Sequence, residues 1–252
     1  MASLFERYTA GEHAPVLGEL AARGAEVWAP PLRADAWRVA QEVVDRAYWN
    51  LSLLARRLTE MGYEFANPTA VLVLASPGDR ARVADVEATQ GRLPMILEAW
   101  YAKIGSVDFS QAEEQLAGSR SAEGGVAGLG MNAVLVIHSP AAALRLQKEL
   151  QREESETVEE GASHGSFFPI GGCASNCEPR GGNLPSSRFD DVIYNDGGGD
   201  ITFVDELRSA FRWGGFPFWR HKVERPKKIQ GTGPEPDFAR LLPKLTEGLV
   251  AI

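Results

Sequence analysis

The sequence predicts an α+β fold, and three observations lead there. The first third of the chain carries helical patterns. Short strand candidates then alternate with helices at irregular intervals. No strand–helix unit repeats with the fixed period of a doubly wound sheet. We divide the chain accordingly into a helical N-terminal extension, 1–68, packing on an α+β domain, 69–252.

The elements follow in order. Residues 14–23 read as a short helix stopped by Gly24, and Ala25 to Trp28 as a short extended piece before Pro30-Pro31. Asp35 is a good N-cap type for a long helix whose apolar stripe is Val39, Val43, Ala47, Leu51, Leu54, Leu58 and Met61, closed by Gly62. Trp37, Tyr48 and Trp49 are expected to pack that helix onto the rest of the protein. Val71 to Ala75 reads as a short buried strand, and 80–90 as a charged helix ended by Gly91. Pro94 opens an aromatic helix (Ile96, Leu97, Trp100, Tyr101, Ile104), Gly105 is expected to cap it, and Val107 and Phe109 start a strand.

Residues 110–131, rich in Gly, Ser and Ala, and 171–187, rich in Gly, Pro and Ser, read as loops. Val134 to Ile137 is the strongest strand candidate, and Ser139-Pro140 begins another helix with an acidic tail. Phe167 to Ile170 and Val192 to Tyr194 are further strands, and Asn195 to Asp200 is a glycine turn. Thr202 to Trp213 is a helix with a capping pair, Thr202 and Asp205. Its apolar side chains, Phe203, Leu207 and Phe211, each contribute roughly 1.5–3 kcal/mol on burial. A last helix runs from Asp237 to about Leu249.

Composition narrows the function classes. The 252 residues carry a net charge of −8, which disfavours general binding to a phosphate backbone. The basic stretch Arg220 to Lys228, beside Trp213, Phe218 and Trp219, therefore reads as a solvated face before it reads as a nucleic-acid site. The opening residues have no signal-peptide character, and no run reaches the roughly 18 apolar residues of a membrane helix. The expectation is a soluble cytoplasmic protein, not a membrane protein.

Two segments carry a family resemblance. Leu93-Pro94, the helix with Trp100-Tyr101, and Ile104-Gly105 together resemble the leucine-proline, aromatic, asparagine-glycine signature of the SUKH superfamily. Ile201 to Arg208 resembles the C-terminal helix of the same fold, and Gly214-Gly215-Phe216-Pro217 resembles a segment of many uncharacterised bacterial proteins of this layout. The likeness spans about residues 85–220. It departs from the family at Ile104-Gly105-Ser106, where asparagine-glycine is usual. The superfamily includes the yeast cell-wall regulators of the Knr type, the bacterial Syd protein and many immunity proteins. The resemblance implies a central mixed, mainly antiparallel sheet with packed helices, and a non-enzymatic role in binding another protein, a bacterial toxin in the immunity members. It carries no catalytic residues and no cofactor. Trp100, Tyr101, Trp213 and Trp219 are the partner-binding anchors expected first.

Two clusters supply an alternative, a metal-binding or metal-dependent hydrolytic protein. Cys173 and Cys177 with His164 offer three zinc ligands, although structural zinc takes four. The simpler reading is two free thiols in a surface loop, with a disulfide across the short loop as a third option that a reducing cytosol disfavours. Asp190, Asp191, Asn195, Asp196 and Asp200 crowd a glycine-rich window, but the spacing and closing glutamate of an EF-hand are absent, and a glycine turn leading into a helix accounts for them more simply. No phosphate loop and no G-x-S-x-G is present. His13, His138, His164 and His221 are scattered.

Overall fold

The computed structural model describes residues 2–115, 134–157, 167–172, 179–193, 201–217 and 236–252. Its elements in chain order are helices α1 (Leu4–Thr9) and α2 (His13–Arg23), a 3₁₀ turn (Gly24–Trp28) and α3 (Leu32–Glu60). Next come β1 (Leu72–Leu74), α4 (Pro77–Gln90), α5 (Met95–Lys103), β2 (Ile104–Asp108), β3 (Val136–Ile137) and α6 (Pro140–Thr157). The chain continues through β4 (Phe167–Gly172), β5 (Pro179–Asn183), β6 (Val192–Ile193), β7 (Ile201–Thr202), α7 (Phe203–Arg212) and α8 (Pro236–Thr246). This is the expected α+β arrangement.

One five-stranded sheet runs β1-β2-β3-β4-β5, and β6 pairs with β7 in a second, two-stranded sheet. Every pairing among the described residues is antiparallel. Helix α5 lies between α3 and the sheet. Met95, Ile96, Leu97, Ala99, Trp100 and Tyr101 are all buried, so this helix is apolar nearly all round, as an interior helix must be. It passes directly into β2, and Trp100 meets the Phe203 ring edge-on at 5.1 Å.

Helix α3 extends for 29 residues and buries the stripe from Ala36 through Val39, Val43, Ala47, Leu51 and Leu54 to Leu58. Gly62 follows with φ of 83°, the left-handed turn expected of it. A single apolar core takes in residues from Leu4 to Ile252, joining the N-terminal helices to the sheet. An aromatic chain crosses it: Tyr63 packs on Phe65 and Phe216, Phe65 on Phe109, and Phe216 on Phe238. The Tyr63 hydroxyl donates to the Phe109 carbonyl at 2.7 Å inside that chain.

Several local expectations are corrected. Ala25 to Trp28 is 3₁₀, not extended. Asp35 does not cap α3, which starts after Pro31. Its carboxylate instead accepts from the Leu4 and Phe5 amides at 2.6 and 3.3 Å, capping α1 from outside. Gly105 ends no helix; it sits within β2, where a Cβ would come 3.2 Å from the Leu74 carbonyl oxygen. The stretch around Val134 supplies only a two-residue strand.

The expected loop at 171–187 contains strand β5, which has no β-branched or aromatic residue to announce it. Glycine is required there for packing. A Cβ at Gly181 would collide with the Phe168 carbonyl oxygen, and one at Gly171 with that of Val136. Residues 116–131 of the first expected loop, 173–178 of the second and the 195–200 turn lie outside the described residues.

Candidate functional site

The partner anchors named from sequence fall in the interior. Trp100, Tyr101 and Trp213 are 0%, 1% and 8% exposed, so none of the three offers a surface to a partner. Their aromatic mass fills the space between α5, the sheet and α7. The Tyr101 hydroxyl donates to the His138 carbonyl at 3.1 Å, and burial pushes its pKa up. Trp219, His164, Cys173 and Cys177 lie outside the described residues, as does the basic stretch 220–228.

The acidic window resolves in part. Asp190 sits beneath the N-terminus of α7. Its carboxylate accepts from the amides of Phe203 at 3.2 Å, Val204 at 3.0 Å and Asp191 at 2.9 Å. The Thr202 hydroxyl bonds to it as well, and accepts in turn from the Asp205 amide at 3.2 Å. Burial raises its pKa to about 6, against the hydrogen bonds that favour the anion. The void beside it, lined by Pro94, Leu97, Phe168 and Phe203, holds about 10 Å³, no more than one water molecule. These oxygens serve the helix end, and no group of three or more His, Cys, Asp or Glu side chains converges as a metal site among the described residues.

A second polar node joins α1, α3 and the last residues. Tyr8 is fully buried, with its ring 4.7 Å from that of His13 and under the Arg46 guanidinium at 5.3 Å. Arg46 bonds Glu42 at 2.7 Å, His13 at 2.8 Å and the Ala251 carbonyl at 3.1 Å. Asn50, fully buried, uses its carboxamide as a peptide would: it donates to the Val250 carbonyl and accepts from the Val250 amide, both at 2.8 Å. Arg208 bonds the Ile252 carbonyl oxygen through two nitrogens, at 3.0 and 2.9 Å. This node fastens residues 250–252 to α3 and α7, while the Tyr8 hydroxyl within it is buried with no hydrogen-bond partner among the described residues.

The outward face of α3 is different. Trp49 is 59% exposed there, and on the edge strand of the sheet Val73 and Leu74 are 38% and 54% exposed. Lys103 connects the two. Its Nζ reaches Asp45 at 2.5 Å and lies over the Tyr48 ring at 5.2 Å, while its carbonyl accepts from the Ala75 amide at 2.9 Å. An open groove of about 340 Å³ continues from this point, lined by Phe5, Arg38, Gln41, Asp45 and Lys103. The Arg38 guanidinium caps the Phe5 ring at 3.9 Å. Aromatic and charged side chains of both signs therefore line this groove, with Lys103 tying the end of α5 to α3 and to the segment after β1.

The structure places Trp49 outside, against the expectation that it packs inward. Its exposure is legible in the spacing: it stands about 200° around the helix from Ala47, opposite the buried stripe. Leu74 carries no comparable signal, because a short apolar run does not distinguish a central strand from an edge. No family model, curated protein or solved structure matches the chain. Among the described residues no helix is long and apolar enough to cross a membrane.

Proposed function

We propose that this chain is a non-enzymatic protein-binding module that docks its partner on the face formed by α3, the end of α5 and strand β1. The observation that carries this reading is the exposure of Trp49 on α3 and of Val73 and Leu74 on the edge strand β1. Large apolar side chains are costly to leave in water, and a clustered set of them marks a contact surface. Tryptophan is also the residue type that most often dominates binding energy at such surfaces. The ion pair of Lys103 with Asp45 supplies a polar rim, and the groove beyond offers both signs of charge. Strand β1 adds a sheet edge, a feature to which extended segments of other chains pair.

The SUKH resemblance supports the same class of function and makes a bacterial toxin the first partner to test. Affinity capture from native cells with the intact chain is compared with capture by Trp49→Ser and Leu74→Asp. Loss of one specific protein with both variants, at unchanged melting temperature, supports the reading. Capture that survives both substitutions overturns this face as the docking site.

A further inference from the structure

Trp28 closes the 3₁₀ turn Gly24–Trp28 and is half-buried. Its indole N–H lies inside with no acceptor among the described residues, so the ring turns its polar edge inward. Two guanidinium groups from separate elements converge on that ring. The Arg92 guanidinium, from the α4–α5 connection, lies 4.2 Å from the ring centroid, and that of Arg33, on the first turn of α3, lies 5.7 Å away. Both arginines are exposed, and neither side chain has a carboxylate within ion-pair distance among the described residues.

Two carboxylates stand near without pairing. Glu87 on α4 accepts from the Leu93 amide at 3.3 Å. Glu98 on α5 is half-buried; desolvation first, then Glu87, raise its pKa, against the pull of Arg33 and Arg92.

We propose that Trp28, Arg33 and Arg92 form a recognition site for the carboxylate side chains of an acidic segment of a partner protein. A guanidinium stacked on an indole uses its face for the ring and keeps its N–H edge for a planar, bidentate acceptor. The ring contact also limits the rotamer freedom that each arginine loses on binding.

The surroundings select the acceptor. A net charge of −8 opposes every polyanion at long range, an acidic segment as well as a nucleic acid, so selection rests on the local groups. Glu87 and Glu98 at the rim oppose a phosphate dianion more strongly than a single carboxylate. Trp28 adds apolar contact that a peptide can use and a free inorganic ion cannot. The site needs neither Trp49 nor Leu74, so its failure and that of the α3–β1 face are separable.

The test titrates an oligoglutamate peptide into the intact, ¹⁵N-labelled chain at low ionic strength, reading the indole resonance of Trp28. Oligolysine, inorganic phosphate and a DNA oligonucleotide serve as parallel probes. A saturable shift with oligoglutamate alone is expected, weakening with added salt. The double variant Arg33→Gln, Arg92→Gln should lose roughly tenfold or more in affinity. Arg92→Lys, which keeps the charge and lacks the fork, should lose part of it while melting as the parent does. No saturable shift with oligoglutamate, an unchanged affinity in the double variant, or an equal response to phosphate or DNA would overturn the proposal.

Discussion

Arg46 donates to Nε2 of His13 at 2.8 Å. Arginine has no acceptor, so the imidazole must receive this bond and carry its proton on Nδ1. Burial lowers the His13 pKa first, and the positive charges of Arg46 and Arg208 lower it further, with Glu42 opposing. The Tyr8 ring packs on the imidazole from α1. Below about pH 6.5 the unfolded chain takes up a proton that the folded chain refuses. This contribution to stability is therefore complete above that pH and is lost as the pH falls from there through the lowered folded pKa. Denaturant unfolding at a series of pH values should show a shallower decline for His13→Gln than for the parent. His138, also lowered by burial, contributes the same sign and cancels in the comparison. Identical slopes for the two proteins would contradict the assignment.

Asp190 has the opposite sign. Its folded pKa of about 6 stands above the ordinary 3.8, so between those values the folded chain holds a proton that the unfolded chain has released. This group adds stability as the pH falls across that window. The carboxyl carbon of Asp190 should titrate near 6 by NMR. Thr202→Ala is expected to cost about 1 kcal/mol as a lost cap. Asp190→Ala should cost about 2 kcal/mol or more, since the Phe203 and Val204 amides would both lose their acceptor.

Two glycine substitutions should move stability in opposite directions. Gly181→Ala forces a Cβ against the Phe168 carbonyl and should cost about 2–3 kcal/mol, or prevent β4 and β5 from pairing. Gly18 lies in the interior of α2, and an alanine methyl there would meet nothing within 4 Å. Gly18→Ala should stabilise by about 0.5–1 kcal/mol. Thermal melts of the two variants provide the check.

Arg180 on β5 and Glu206 on α7 form an ion pair whose side chains are 12% and 10% exposed. Removing one partner leaves a buried charge, so Glu206→Ala should cost about 3–5 kcal/mol. Replacing both, with Arg180→Met and Glu206→Leu, should come back close to the parent. A double-mutant cycle by urea unfolding separates these outcomes, and equal losses in the single and double variants would exclude them.

Much of the helical layer is legible in the sequence because its signals are local. The stripe on α3, the Gly62 stop and the Thr202 cap all sit within a few residues of the element that they define. What escapes is set by distant partners. Asp35 looks like the cap of its own helix and serves another. Strand β5 has glycines because the Phe168 carbonyl approaches so closely, and no propensity scale registers that. The outward face divides in the same way. Trp49 can be placed by counting around the helix, whereas the exposure of Leu74 depends on β1 standing last in the sheet. The site at Trp28 draws Arg92 from a distant connection, and spacing along the chain holds no trace of that meeting.

The bond pair between Asn50 and Val250 has a consequence for biosynthesis. The partners are 200 positions apart, so a ribosome completes the middle of α3 long before it supplies the backbone that Asn50 awaits. Until then α3 can already pack on α1 and α5, but the carboxamide at its centre has no partner. Closure of the polar node around Asn50 therefore comes late in synthesis, after the rest of the helical layer can form.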